Sequence, residues 1–351
     1  MKLKNMMLTT GLALTTLLAE CGGTEESAAE GESAKEPLVV YTNSASDGRG
    51  DWLKEQASEQ GFDIEIVEGG GGDIANRLVA EKNNPVADVV YGLSTMDYEN
   101  FKKQDMLAEY VPSWAGEIQG DINDPEGYYH SIVKQAILMI YNTENYDASS
   151  APADWPELWN NEEYHGQYAI LGHEGGTGRA IIAGILNRYK DENGEYGISQ
   201  EGWDELEKYL TNGYHPAEGE DFFAKVADGS VPISGIWSSG IVPKEEEFGV
   251  DVAYATPEVG VPHVVEQVAI VEGTEQQDTA EAFVDWFGSS EVQGKWTEEF
   301  STLPANEGAL EYADEATKEL AESVTVQDID WGFVSENIDQ WVEKVELQLL
   351  P

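Results

Sequence analysis

Small hydroxyl residues and glycines recur at points where an apolar run ends and a helical pattern begins. The loops with this composition are Thr42-Asn43-Ser44, Gly70-Gly71-Gly72, Ser94-Thr95, Gly176-Thr177-Gly178 and Trp237-Ser238-Ser239. Unpaired N–H groups and the dipole at a helix N-terminus favour an anion, and glycine lets a ligand approach the backbone closely. Together the loops predict a site for an anionic ligand, although each loop alone is typical of an ordinary N-cap or turn.

Two of the four arginines lie beside these loops. Arg49 follows the first loop and Arg179 the fourth. A planar guanidinium can bind a phosphate or carboxylate through two parallel hydrogen bonds, so both arginines join the predicted site. The alternative is that both form surface ion pairs with the abundant acidic residues. Trp237 is interpreted as a stacking surface for an organic ligand or as a core residue.

The motifs of common enzymes are incomplete in this chain. The segment 175–179 lacks the Gly-Lys-Ser/Thr end of a nucleotide-binding loop, and Ser131 and Lys134 have the S-x-x-K spacing without its companion motifs. The five histidines are scattered without metal-ligand spacing. We therefore expect no catalytic residue, no metal site and no cofactor.

The net charge restricts the partners. In 351 residues, 19 Lys and Arg face 68 Asp and Glu, which gives a formal charge of −49. Such a chain repels nucleic acid and anionic lipid, so any membrane association must come from an anchor. Because self-repulsion on this scale destabilises a compact state unless salt screens it, a salt-rich habitat is the first explanation, and an acidic binding function is the second.

The N-terminus has the pattern of an export signal. A basic start and a short apolar run occupy 1–20, and Cys21, the only cysteine, follows directly. This arrangement resembles a bacterial lipoprotein signal, although Glu20 stands where a small residue is usual. Residues 21–36 lack branched aliphatic and aromatic side chains and are expected to be a disordered tether. The expected location is the outer face of the cell membrane or the periplasm, through a lipid anchor. The alternative is a plain secreted protein with a stray thiol.

The remainder of the chain alternates between strand and helix patterns. The apolar runs 38–41, 62–67 and 87–93 are each followed by a segment with helical composition. This order predicts an α/β fold with a mostly parallel sheet covered on both faces, in which ligands bind at the carboxyl ends of the strands.

The order of these segments resembles the solute-binding proteins of ABC importers, in the branch that binds ferric ion, thiamine, sugar phosphates and phosphonates. The matching segments are Leu38–Thr42, Ala87–Gly92, Ile140–Thr143, Trp155–Leu158, Tyr164–Tyr168, Gly176–Gly178, Ala282–Phe287 and Ser301–Pro304. The resemblance implies a type 2 periplasmic-binding-protein fold with two lobes and a ligand cleft that closes by hinge bending. We assign 37–140 and 269–351 to lobe one and 141–268 to lobe two, with crossings near Tyr141 and Gln267.

The resemblance also implies the function and the partners. The chain is expected to be a monomer that captures a small solute, favoured as an anionic organophosphate or phosphonate, and passes it to ABC permease subunits. Iron-binding members grip Fe(III) with adjacent tyrosines on the second lobe, but the segment 233–242 contains none. A cationic solute such as thiamine or a polyamine, or ferric ion, is the alternative ligand. An extracellular hydrolase is the alternative of another class.

Overall fold

A computed structural model describes residues 36–118, 122–173, 175–217 and 219–350. The predicted signal, Cys21 and almost all of the tether lie outside the described residues. The strands are β1 (Leu38–Thr42), β2 (Ile64–Glu68), β3 (Val89–Ser94), β4 (His130–Asn142), β5 (Lys190–Glu195), β6 (Ile233–Trp237), β7 (Val252–Tyr254), β8 (His263–Ile270) and β9 (Leu303–Pro304). The helices are α1 (Arg49–Glu59), α2 (Gly71–Glu81), α3 (Thr95–Lys103), α4 (Glu157–Asn160), α5 (Gly176–Leu186), α6 (Gln200–Asn212), α7 (Phe222–Ala227), α8 (Ile241–Phe248), α9 (Gln277–Phe287), α10 (Ser290–Phe300), α11 (Glu315–Ser323) and α12 (Trp331–Lys344).

The sheet is mixed and continuous, with the strand order β2-β1-β3-β8-β4-β6. Its first three strands pair in parallel, and each of β1, β2 and β3 leads into a helix, as the sequence predicts. The pairs that β4 makes with β6, β7, β8 and β9 are antiparallel. The predicted mostly parallel pairing is therefore confined to one end of the sheet, because β4 and β8 run in opposite directions through its centre.

The strand β4 joins the two halves of the fold. Its first part pairs with β8 up to Ala136, opposite His263, and its last part pairs with β6 from Ile137, opposite Trp237. The change of partner lies between Ala136 and Ile137. This point lies about four residues before the crossing that the sequence places near Tyr141. The apolar run 137–142 is only the later part of the longer strand β4, the part that belongs to the second half of the fold.

Alternate side chains of β4 enter different parts of the core. Ile137, Met139 and Tyr141 pack in a cluster with α5 and α6, whereas Leu138 and Ile140 pack on the opposite face. The side-chain period of two along a strand explains this division. The half that contains β1 and β3 is likewise filled on both faces of the sheet.

The C-terminal helix α12 packs with the second half. Val334, Ile338 and Trp341 belong to the same cluster as α5 and α6, and α12 also lies against α3. This packing differs from the sequence assignment of all of 269–351 to lobe one. The apolar stripe of α12 predicts a buried face, but the stripe contains no information about which half covers it.

Candidate ligand-binding site

A cavity of about 660 Å³ lies at the carboxyl ends of β1, β3 and β6 and is crossed at its floor by β4 and β8. This volume lies within the range of small-molecule sites, about 300–1,000 Å³. Ten of the residues predicted for the site line it: Asn43, Ser44, Arg49, Gly71, Gly72, Ser94, Thr177, Arg179, Trp237 and Ser239. The structure therefore brings all five predicted loops to one cavity. Contact of these residues with a ligand stays a prediction.

Thr42 and Thr95, two of the predicted residues, do not line the cavity. The Thr42 hydroxyl is fully buried and accepts a hydrogen bond from the Ser44 N–H at 2.9 Å. The Thr95 hydroxyl accepts one from the Gln267 side-chain amide at 2.9 Å. Both residues fix the loops that carry cavity-lining neighbours, since their hydroxyls are occupied within the protein.

Ser238 and Gly178 are the other two predicted residues outside the lining. The Ser238 hydroxyl accepts from the Ala136 N–H at 3.2 Å and donates to Gln135 Oε1 at 3.2 Å. At Gly178, a Cβ atom would lie 2.2 Å from the Gly172 carbonyl oxygen. The glycine thus serves close packing of α5 on its preceding loop and does not serve approach of a ligand.

A bulge in β3 turns the start of α3 toward the cavity. Gly92 and Leu93 both have positive φ, 85° and 42°, and the pairing with β8 shifts register between Gly92 and Ser94. The side chain of Asn43 holds this bulge, because its Oδ1 accepts the Leu93 N–H at 2.7 Å. A Cβ at Gly92 would lie 2.3 Å from that oxygen, so glycine is required there.

The N-terminus of α3 is satisfied by its own side chain. Asp97 Oδ2 accepts hydrogen bonds from the Ser94 N–H at 3.0 Å and from the Ser94 hydroxyl at 2.7 Å. Burial raises the pKa of Asp97, and the bonds from Ser94 oppose that shift. The prediction that Ser94 offers an open donor to an anion is thus not favoured by its contacts, since its hydroxyl hydrogen already points to a carboxylate.

The helices α2 and α5 begin at the cavity without a side-chain cap. Their N-caps are Gly70 and Gly175, neither of which has a side chain that can accept a hydrogen bond. Gly71 and Gly72 of α2 and Thr177 of α5 line the cavity. The first backbone N–H groups of a helix have no acceptor within the helix, so both ends favour a negative group.

Arg49 reaches across the cavity floor. Its Nη2 donates to Ser239 Oγ at 3.4 Å, its Nη1 lies 3.2 Å from Asp47 Oδ2, and its guanidinium lies 5.1 Å from the centre of the Phe300 ring. Its side chain is only 8% exposed, whereas that of Asp47 is 58% exposed. Arg49 therefore connects the β1–α1 loop of the first half to the β6 end of the second.

Arg179 and Lys103 add two further cations. Arg179 is half-buried; its Nε donates to the His173 carbonyl oxygen at 3.3 Å and its Nη1 lies 3.3 Å from the exposed carboxylate of Asp339. Lys103 is exposed at the edge of the cavity and, among the described residues, forms no ion pair. Sequence reasoning missed Lys103, because it lies two helical turns after Ser94 and only the fold directs it inward.

The floor of the cavity contains a carboxylate that the sequence did not single out. Glu266 on β8 accepts from the Ser44 hydroxyl at 2.8 Å and from the Gln135 side-chain amide at 2.9 Å. The amide oxygen of Gln135 in turn lies 3.4 Å from the Ser239 N–H. A polar Glu-Gln pair inside the apolar run 264–271 was the available signal.

No group of three or more His, Cys, Asp or Glu side chains within the described ranges could hold a metal ion. In the same residues the cavity is lined by no tyrosine and no histidine. Its polar groups are guanidinium, ammonium, amide, hydroxyl and carboxylate, a set that suits an organic ion.

Comparison with known proteins supports the fold and defines the class. Residues 51–325 match the family described as bacterial extracellular solute-binding protein. A Sinorhizobium fredii protein, provisionally described as an ABC transporter periplasmic-binding protein, is 33% identical over 312 residues, or 89% of this chain and 86% of that protein. A Salmonella typhimurium protein, provisionally described as a 2-aminoethylphosphonate-binding periplasmic protein, is 24% identical over 334 residues. The match covers 89% of this chain and 94% of that protein.

Solved structures show the same fold at low sequence identity. A ferric binding protein from Campylobacter jejuni superposes with a TM-score of 0.76 at 18% identity, over 88% of this chain and 98% of that one. A periplasmic binding protein from Actinobacillus pleuropneumoniae, solved with exogenous fructose-6-phosphate, has a TM-score of 0.70 at 18% identity. The match covers 89% of this chain and 99% of that one. The two-lobed type 2 binding-protein fold is therefore confirmed.

The fold and the cavity define a binding protein with a small-molecule site between two α/β halves. The chain belongs to the bacterial extracellular solute-binding protein family and is a substrate-binding component of an ABC importer. Family membership indicates a place outside the cytoplasm, in the periplasm or at the cell exterior. Within the described residues, no helix is long and apolar enough to cross a membrane.

Proposed function

We propose that the chain captures a small organic anion, a phosphate ester or a phosphonate, and delivers it to an ABC permease. The observation that carries the proposal is the concentration of three cations, Arg49, Lys103 and Arg179, with two uncapped helix N-termini around one cavity. In a chain with 68 acidic and 19 basic residues this concentration is a local exception. The relative described as binding 2-aminoethylphosphonate and the neighbour solved with fructose-6-phosphate support the same ligand class.

Closure of the cavity follows from the contacts that cross it. Arg49 of the first half already reaches Ser239 of the second at 3.4 Å. A phosphoryl group held between this guanidinium and the α5 N-terminus would make its full set of contacts only when the halves are together. A ligand shifts an equilibrium by its differential affinity for the two states, so such contacts favour the closed form that the permease recognises.

A cationic solute is the second candidate, because acidic and aromatic side chains also line the cavity. Asp97, Glu266 and Asp339 supply carboxylates, and Trp237 and Trp296 supply ring surfaces that suit a cation. Ferric ion receives less support, since no described tyrosine lines the cavity.

A hydrolase would need a nucleophile activated by a base. Two hydroxyl–carboxylate pairs occur in the described cavity lining, Ser44 with Glu266 and Ser94 with Asp97. A carboxylate alone is a weak base for a serine hydroxyl, and no described histidine lines the cavity to relay the proton. These contacts support a binding function without chemistry on the solute.

We further propose that Cys21 carries the lipid that holds the protein at the outer face of the membrane, with 21–36 as the tether. Cys21 lies outside the described residues, and the proposal rests on the sequence pattern alone. Mass spectrometry of membrane-extracted protein tests it, and an unmodified soluble product would contradict it.

The ligand class is tested by a thermal-shift screen on protein freed of bound solute by unfolding and refolding. Phosphate esters, phosphonates, thiamine, polyamines and Fe(III) are compared, with calorimetry on the hits. A ligand at 100 times its Kd stabilises the native state by about 2.7 kcal/mol, so the correct class should be unmistakable. Stabilisation by the cations alone would contradict the proposal.

A further inference from the structure

We propose that the cavity contains a second subsite, centred on the Glu266 carboxylate, that binds an ammonium group, so that the solute is a zwitterion with separate anionic and cationic ends. This inference rests on the proposed function, because the anionic end is assigned to the cations and helix termini described above. The chemical class that follows is a small phosphate ester or phosphonate bearing an amine.

The Glu266 carboxylate is held in one orientation by neutral donors. Ser44 Oγ donates to Oε2 at 2.8 Å and Gln135 Nε2 donates to Oε1 at 2.9 Å. Each carboxylate oxygen can accept about two hydrogen bonds, so each retains room for one more donor. Glu266 is half-buried and lines the cavity.

The amide that orients Glu266 is itself fixed. Gln135 is 8% exposed, and its Oε1 accepts from the Ser238 hydroxyl at 3.2 Å and the Ser239 N–H at 3.4 Å. A flipped amide would present its NH₂ to the Ser239 N–H and its oxygen to the carboxylate, which are two repulsive contacts. The chain from Ser239 through Gln135 therefore fixes which face of the carboxylate points into the cavity.

Glu266 forms no ion pair with a cation of the described chain. The nearby Arg49 pairs with Asp47. Of the described lysines and arginines, only Lys54, Lys82, Lys103 and Lys134 are outside ion pairs.

Closing the cavity over an uncompensated carboxylate is unfavourable. Transfer of an unpaired charge out of water costs far more than transfer of a paired one, and that cost falls on the closed state. A purely anionic solute would add like-charge repulsion to it. An ammonium group supplies three donors and an opposite charge, so it removes both penalties and makes closure depend on the cationic end.

A role for Glu266 in structure alone makes a different prediction. If the carboxylate only receives the Ser44 and Gln135 hydrogen bonds, solutes with and without an amine should bind equally. The test therefore compares O-phosphoethanolamine with ethyl phosphate, and 3-aminopropylphosphonate with propylphosphonate, by calorimetry on the full refolded chain. Each pair differs by the ammonium group, and the anionic group is the same.

We expect the native protein to bind the amine-bearing member of at least one pair about tenfold or more tightly, a difference of about 1.4 kcal/mol. Glu266→Gln should reduce this ratio to about one. Glu68→Gln makes the same change at an exposed carboxylate outside the cavity lining, and we expect it to retain the full ratio.

The outcomes separate the two proposals. Equal, measurable binding of both members of each pair by the native protein overturns the zwitterion subsite and leaves the anion site standing. Binding of none of the four probes overturns the anion site together with the subsite. If Glu266→Gln does not fold, Glu266→Asp keeps the charge on a side chain one carbon shorter and should reduce the ratio; the full native ratio in that variant would overturn the assignment of the preference to this carboxylate.

Discussion

Arg49 and Arg179 both line the cavity but are held in different ways. Arg49 is buried and fixed by Asp47, Ser239 and the Phe300 ring. Arg179 is 31% exposed, and its one carboxylate partner, Asp339, is 84% exposed. Because a solvent-exposed ion pair contributes little, a phosphoryl group can replace Asp339 at small cost. Arg179 is therefore the arginine whose removal should affect binding with little effect on the fold.

We expect Arg179→Ala to weaken binding of the anion selected by the screen by about 10- to 100-fold, the effect of losing hydrogen bonds worth about 1.5–3 kcal/mol to a charged group. The matched control is Arg77→Ala, which removes an exposed guanidinium paired with Glu81 outside the cavity lining. Calorimetric affinities of the two variants check this prediction. Equal affinities would remove Arg179 from the site.

Some residues that line the cavity could be predicted from the sequence, and others could not. Loop residues such as Ser44 and Thr177 were predictable, because they directly follow a strand or begin a helix. Gln135 and Glu266 were not selected, since they lie on strands whose crossing is a property of the whole sheet. Lys103 was missed for a related reason: its helix had to be placed before its direction was known.

At the scale of elements, the starts of α2, α3 and α5 at the cavity are not equivalent. The start of α3 is satisfied by Asp97, whereas α2 and α5 begin at glycines with no side-chain cap. The sequence predicted all three alike, because hydroxyl and glycine residues precede each of them. The difference arises at the N-cap: Asp97 bonds the N–H and the hydroxyl of Ser94, whereas Asp73, at the same position in α2, follows a glycine N-cap that has no hydroxyl to donate.

Gly178→Ala should lower the stability of the protein, because the new Cβ would lie 2.2 Å from the Gly172 carbonyl oxygen, an atom of the backbone. We expect a loss of about 1–3 kcal/mol in the free energy of unfolding, which is typical of overpacking. Urea denaturation measures it.

The matched control is Gly72→Ala in α2, where no atom lies within 4 Å of the new Cβ. Alanine is favoured over glycine inside a helix by up to about 1 kcal/mol, so stability should be unchanged or higher. Equal midpoints for the two variants would show that α5 can shift from its loop without cost.

Strand and helix positions followed well from periodicity, but the pairing of elements did not. The runs 38–41, 62–67 and 87–93 correspond to β1, β2 and β3, and the helical segments that follow them are α1, α2 and α3. The placement of α12 on α5 and α3 could not be predicted, since its apolar stripe fits either half. Long-range packing decides such cases.

At the scale of the whole molecule, the formal charge is −49, and of the described acidic residues only Asp88 and Asp124 are buried. Twelve of the described lysines and arginines are engaged in ion pairs, yet most carboxylates have no cationic partner available. The long-range repulsion among them is reduced when salt shortens the screening length from about 10 Å at 0.1 M to about 3 Å at 1 M.

We expect the thermal midpoint and the free energy of unfolding to rise as NaCl increases from 0.1 M to 1 M, because screening relieves repulsion in the compact state more than in the expanded one. Scanning calorimetry over this range checks the prediction. Sucrose at matched osmolality controls for preferential exclusion of a co-solute, which also stabilises folded states. A flat or falling midpoint in salt would contradict a surface suited to a salt-rich habitat.

The continuous strand β4 has a consequence for how the cavity can open. Its 13 residues pair with β8 and then with β6 without a gap in the chain between them, and residues 37–351 form one compact unit. The halves are thus joined by a hydrogen-bonded ribbon and not by a loose linker. Relative movement of the halves must therefore bend or twist this ribbon, since no linker residues lie between its two paired segments.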